Sequence, residues 1–340
     1  MDPDLILDIF NNDAFSAVSL TASVNTLPFV PGRIGEMEIF EEDGVTTTSI
    51  AIEELDGTLD LIPTAPRGAP AYQNQKQKAN LRTLAIPHLP LSDVVKAGEV
   101  QNVRAFGGGG RLEAVEGLLM RRVKRMLAAH DATIEYQRVG ALKGVLLDAD
   151  GQTVIYNLFN EFGVQQTSVD FDLGNAGADV EGACEHVAGN VEDTLGAATY
   201  TQMHVICGRV FWRRFISHPA VKEAFKYYQQ AGRLSPLNSD LRYKGFEFGG
   251  LVFEQYRGKV GGVPFIADAE AYAFPVGVPG LYITRFAPAE YLDTVNTVGL
   301  PRYMRQFVHP KLTGVDIDTE SNPISLCTRP AVLNKLISNS

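Results

Sequence analysis

The chain has 340 residues and a mass of 37.1 kDa, enough for about two domains of ordinary size. With 45% hydrophobic and 21% charged residues it has the apolar surface for a packed core, which excludes a disordered chain, a collagen-like repeat and a coiled coil. Forty acids against 30 bases give a net charge of -10, which excludes a dedicated DNA-coating protein without forbidding a local basic patch. No apolar run approaches the roughly 18 to 20 residues that span a bilayer. Residues 1–12 carry Asp2, Asp4 and Asp8 and no base, unlike a secretory signal, so the expectation is a soluble chain folded in a cytosol-like compartment. Cys184, Cys207 and Cys327 are odd in number and far apart, which predicts free buried thiols rather than a disulfide framework.

Eight of the 18 prolines fall in residues 1–90, none in 91–218 and ten beyond. The first 90 residues therefore read as an extended, turn-rich arm with little room for helices. Within it Ile34 to Ile62 reads as paired strands, with Asp43-Gly44 and Asp56-Gly57 as hairpin turns. Such a hairpin is not stable alone and needs a surface to lie on. From Arg111 to about Gly140, Leu112, Val115, Leu119, Val123 and Met126 recur at spacings of three and four, a helix longer than most. Its other face carries Arg121, Arg122, Lys124 and Arg125. Val145–Leu147 and Thr153–Tyr156 flank Asp148-Ala149-Asp150-Gly151 as a hairpin. A helix over Asn175–Leu195, capped by Asn175, precedes a strand at Met203–Cys207. Helices at Val210–Ile216 and Pro219–Ala231 follow, the second stopped by Gly232. Strands are expected at Phe246–Tyr256, Val263–Ile266, Leu281–Thr284 and in Gly314–Leu336. The class is α+β.

No catalytic, cofactor-binding or metal-ligating set emerges from the residues. Gly107, Gly108, Gly109 and Gly110 precede a helix, but no Lys-Ser or Lys-Thr follows as in a phosphate loop, so they read as a hinge. Cys184, His186, His204 and Cys207 do not converge at helix or strand spacing and read as buried cysteines and surface histidines. Asp148 and Asp150 suit a turn, and Trp212-Arg213-Arg214 suits a helix turn with a buried ring.

Charge is segregated instead. Ile34–Ile62 holds nine acids, among them Glu36, Glu38, Glu41, Glu42 and Asp43, and no base. Thr64–Met126 holds eleven bases, among them Arg67, Lys76, Lys78, Arg121, Arg122, Lys124 and Arg125, against four acids. These residues are the candidate inter-subunit contacts: an acidic hairpin kept off its own basic flank by a stiff helix lies across that of a neighbour. A contact between unlike patches of identical chains repeats into rings or closed shells.

Three segments carry a resemblance, in order along the chain: Pro63-Thr64-Ala65-Pro66-Arg67-Gly68-Ala69-Pro70; Ser217-His218-Pro219-Ala220-Val221-Lys222; and Ser321-Asn322-Pro323-Ile324 followed by Thr328-Arg329-Pro330-Ala331. In these the chain resembles the lambda-type major capsid proteins of tailed bacteriophages. The resemblance implies the Hong Kong 97-type capsid fold. Its parts would be an N-terminal arm (1–33), an extended E-loop (34–90), a peripheral domain (91–174) with a spine helix (111–140), an axial domain (175–295) and a return to the peripheral domain (296–340). It also implies pentamers and hexamers of the chain itself in an icosahedral shell around double-stranded DNA, without sequence-specific binding. Scaffold, portal and decoration proteins would be partners, with assembly in the host cytoplasm, no membrane and no cofactor. An encapsulin-type compartment shell is the nearest alternative, and a soluble α+β enzyme a more distant one.

Overall fold

A single helix, Arg111–Lys143, threads the molecule and is its frame. The structure is a computed structural model that describes residues 17–26, 32–55, 79–96, 98–99, 111–234, 245–260, 262–309 and 313–338. The helix is about 50 Å long at 1.5 Å per residue. It continues through Gly140 and ends at Gly144, whose φ of 77° suits glycine. Gly140 serves close packing: a Cβ there would lie 3.0 Å from the Val145 carbonyl oxygen.

Leu119, Val123, Met126 and Leu127 face a small apolar core shared with a three-stranded sheet. That sheet is antiparallel, in the order Tyr303–Val308, Gly314–Ser321, Leu89–Lys96. A helix at Ala17–Thr26 closes the same core with Leu20 and Val24. This helix and a short one at Arg33–Glu36 show more helix than expected of an arm with little room for it. Their apolar residues have the sheet and the long helix to pack on, so tertiary burial outweighs the high proline content around them.

The larger core lies around a six-stranded mixed sheet, ordered Thr167–Asp170, Asn334–Ile337, Glu270–Val276, Gln202–Cys207, Leu251–Gln255, Phe246–Phe248. It gathers strands from outside residues 175–295 as well as inside. Phe171, Phe211, Phe215 and Phe253 interlock over it, with Phe215 and Phe253 stacked at 4.1 Å. Trp212 is half-buried, edge-on to Phe225. The helix Val180–Leu195 buries Val180, Cys184, Val187, Val191 and Leu195, the face its spacing predicts. Its cap is Asp179, which accepts from Gly182 N at 2.9 Å; Asn175 instead closes the preceding turn onto Gly177 N. The next helices are Arg209–Ser217 and Pro219–Leu234, the second running through Gly232. Phe246–Tyr256 is a hairpin rather than one strand, because Gly249 and Gly250 at φ 56° and 76° turn it. Val263–Pro264 is a two-residue strand, Tyr282–Phe286 starts one residue after the expected strand does and ends two after it, and Val145–Leu147 pairs with Val154–Asn157 close to the expected hairpin.

Candidate functional site

Asp43-Gly44 is not a hairpin turn. Glu41–Gly44 is a strand paired in parallel with Tyr282–Phe286, which pairs on its other side with Pro323–Cys327. Gly44 is explained by close approach: a Cβ would stand 2.1 Å from the Gly299 carbonyl oxygen. Glu41 accepts from Gly280 N at 2.6 Å, and its own carbonyl accepts from Arg285 at 2.8 Å. Glu42 forms an ion pair with Arg138 of the long helix. Asp43 caps Gly44 N locally, while Glu36 and Glu38 are exposed. For Glu41–Gly44 the expectation of a segment standing clear of its own body is thus corrected. It fails because Arg138, buried in the long helix, supplies an anchor.

A true antiparallel ribbon follows, Ser49–Leu55 with Ala79–Ala85. Ile50, Ile52 and Leu84 sink into the main core, and Arg82 donates to the carbonyls of Glu161 and Phe162 with its guanidinium 5.3 Å from the Phe162 ring. The ribbon is therefore a finger with a fixed root. Asp56-Gly57, Arg67, Lys76, Lys78 and the Pro63–Pro70 motif lie outside the described residues, as do Gly107, Gly108, Gly109 and Gly110.

On the long helix, Arg122 is engaged by Asp93 at 2.8 Å and by Glu99. Arg121, Lys124 and Arg125 are exposed and have no ion-pair partner among the described residues.

Further along that helix stands a buried polar column that periodicity alone does not reveal. Glu135 accepts from Ile34 N (2.8 Å), Gly35 N (3.0 Å) and Tyr256 Oη (2.9 Å). Beside it Arg33 clasps Glu254 with two nitrogens at 2.6 and 2.8 Å, and His204 meets the same carboxylate at 3.2 Å. Burial alone would raise the Glu254 carboxyl; the hydrogen bonds from His204 and Arg33, with their charge, more than reverse this and hold it below the usual range. His204 is thus buried, not a surface histidine, while His186 is exposed. Asp131 pairs with Arg302 at 2.7 Å, and His130 meets Thr319 at 3.0 Å. Burial, aided by the Arg302 charge, pushes His130 down to about 4. The signal that was available is Asp131, Glu135 and Arg138 at spacings of four and three, a charged stripe inside an otherwise apolar stretch.

The three cysteines are free and buried; burial pushes the Cys184 and Cys327 thiols up to about 12 and Cys207 well above its ordinary value. Among the described residues no three histidine, cysteine or acidic side chains gather as a metal site, and no helix is long and apolar enough to cross a membrane. The segment Ser321–Ile324 is a joint between the two three-stranded sheets. Ser321 Oγ donates to Pro301 O at 2.7 Å, and Asn322 Nδ2 donates to Pro288 O at 3.0 Å.

Residues 16–338 match the family model described as phage major capsid protein E. The major capsid protein of Pseudomonas phage KPP10 is 30% identical across 94% of this chain and 96% of its own length. That of Salmonella phage Felix O1 is 24% identical across 94% and 95%. Among solved structures, the capsid of cyanophage P-SCSP1u superposes with a TM-score of 0.52 at 10% identity, over 92% of this chain and 90% of the other.

Proposed function

The chain belongs to the phage major capsid protein E family, whose members form capsid shells and whose fold is of the Hong Kong 97 type, and from this we infer that its copies close into the icosahedral head around the double-stranded DNA of a tailed phage. The observation that carries the reading is the match to major capsid proteins over nearly the whole length of both chains. It favours a phage head over a compartment for protein cargo and over a metabolic enzyme, and it assigns the protein a structural role. In this reading the chain forms pentamers and hexamers, is assembled in the host cytoplasm and meets scaffold, portal and decoration proteins. Residues 91–174 and 296–340 would make the peripheral domain and 175–295 the axial one.

The finger supplies the reach. Its root is fixed by Ile50, Ile52, Leu84 and Arg82, and in this reading Arg67, Lys76 and Lys78 address a neighbouring copy. Arg121, Lys124 and Arg125 offer a basic face without ion-pair partners among the described residues, and the exposed Glu36, Glu38 and Asp43 offer an acidic one. Gly107–Gly110 would let finger and long helix reorient as the shell expands. A net charge of -10 keeps much of the wall from gripping packaged DNA. Individual contacts stay modest because a closed shell multiplies them.

The test is the oligomeric state of the expressed protein by size exclusion and negative-stain microscopy. Closed shells of uniform diameter are expected; a stable 37.1 kDa monomer overturns the reading.

A further inference from the structure

The loop between Tyr282–Phe286 and Tyr303–Val308 turns apolar side chains outward. Leu292 is 96% exposed, Val295 61%, Val298 57% and Leu300 40%. Four exposed aliphatics in nine residues form a patch of the kind that marks an interaction site rather than scattered surface residues. The loop is also held in shape. Its 3-10 turn, Leu292–Thr294, is tied by Thr294 Oγ1 donating to Ala289 O at 2.6 Å, and Thr297 N donates to Thr294 O. Gly299 N donates to Val45 O at 2.9 Å, Leu300 N donates to Tyr303 Oη at 2.8 Å, and Arg305 stacks 4.0 Å above Tyr291 while pairing with Asp293. Its rim is acidic on balance: Glu290, 3.7 Å from His88, and Asp293, paired with Arg305, lie on the loop and Asp318 close by, and burial with the charges of Glu320 and Asp318 outweighs Arg305 to push Tyr291 up to about 12.

The same chain carries a complementary surface elsewhere. Met120, 44% exposed, lies one helical turn from Lys124 and beside Arg121, whose aliphatic stems extend an apolar strip under positive charge that has no ion-pair partner among the described residues. The loop and the long helix are fastened to different rows of one sheet. The loop is fastened at the Tyr303–Glu320 end, whereas the helix is fastened by Arg122 to Val94 O, in the row Phe307–Asp316–Val94. Four residues of strand, roughly 13 Å, separate the rows. A contact between such separated, unlike patches joins copies head to tail.

We propose that the loop Glu290–Leu300 is an apolar knob that seats on the long helix of a second copy at Met120, Arg121 and Lys124. The proposal rests on the shell-forming reading above, which makes a second copy the partner at hand. The opposite charges around the two apolar patches set the direction of the contact.

Cysteine trapping tests it, with little background because the three native cysteines are buried. In assembled particles under mild oxidation, a chain carrying both Val295→Cys and Met120→Cys should give a ladder of disulfide-linked dimers, trimers and higher forms. Neither single variant should give dimers. Well-formed particles without a ladder overturn the contact while leaving the shell reading intact, and point to another protein or the finger as occupant. Dimers from Val295→Cys alone overturn it in favour of a two-fold contact. Failure of the unsubstituted chain to assemble overturns both. As a second measure, Leu292→Asp with Val298→Asp should leave a folded, soluble subunit and cut particle yield about tenfold or more; unchanged yield rejects the knob.

Discussion

The carboxylate of Glu135 takes three donors at once, two from the backbone of Ile34 and Gly35 and one from Tyr256. Replacing it by alanine strands these in a dry site, so Glu135→Ala should lower the stability of the unassembled subunit by about 3 kcal/mol in denaturant titration. Gly32→Ala should act in the same direction, because a Cβ there would lie 2.2 Å from Glu135 Cδ. His130 makes stability depend on pH. Its folded value near 4 is below the 6.5 of the unfolded chain, so on acidification the unfolded chain takes up a proton that the folded one refuses. Stability therefore falls as pH drops from about 6.5 towards about 4, by up to about 3 kcal/mol. Melting temperatures between pH 7 and 5, a window above the range where Glu254 titrates, should fall more steeply for the parent chain than for His130→Gln. At this scale the sequence was least readable. His204, Glu254 and Arg33 are far apart along the chain, and nothing local marks them as one group.

Elements with a strong period were readable: the long helix, the helix Val180–Leu195 and the strand Gln202–Cys207 all lie where apolar spacing puts them. Glycine and proline signals misled when their cause was tertiary. Gly44 makes room for Gly299, and Gly140 for Val145, where turn or helix-stop chemistry offered a local explanation. The central strand Glu270–Val276 escaped notice because Ala271 to Pro275 are buried without alternation and include a proline. Pro275 is tolerated where Asn334–Ile337, which covers only Glu270–Ala273, no longer pairs. The ribbon at the finger root depends on Arg82. Arg82→Ala should cost about 1–2 kcal/mol and speed limited proteolysis between residues 55 and 79, read by mass spectrometry of the fragments.

For the whole molecule, the two halves of the acidic run separate by role. Glu38→Lys should leave the subunit folded and reduce shell yield, since its side chain is exposed, whereas Glu36 also pairs with Arg33 at 3.9 Å. Glu41→Lys and Glu42→Lys should instead destabilise the subunit itself by about 1–2 kcal/mol, because each loses an intrachain bond. Circular dichroism melts beside particle counts distinguish the two outcomes. The division of charge along the chain was visible from composition; which part of it serves the fold depended on Arg138, whose place no spacing rule reveals. The parallel pairing of Glu41–Gly44 with Tyr282–Phe286 joins residues about 240 positions apart, and this has a temporal consequence. During synthesis the early strand has no partner until nearly all of the polypeptide has left the ribosome, and long-range pairing of this kind forms late. The strand that leads into the finger is then one of the last parts to set, and in the shell proposed above a half-made chain would lack a steady grip on finished neighbours.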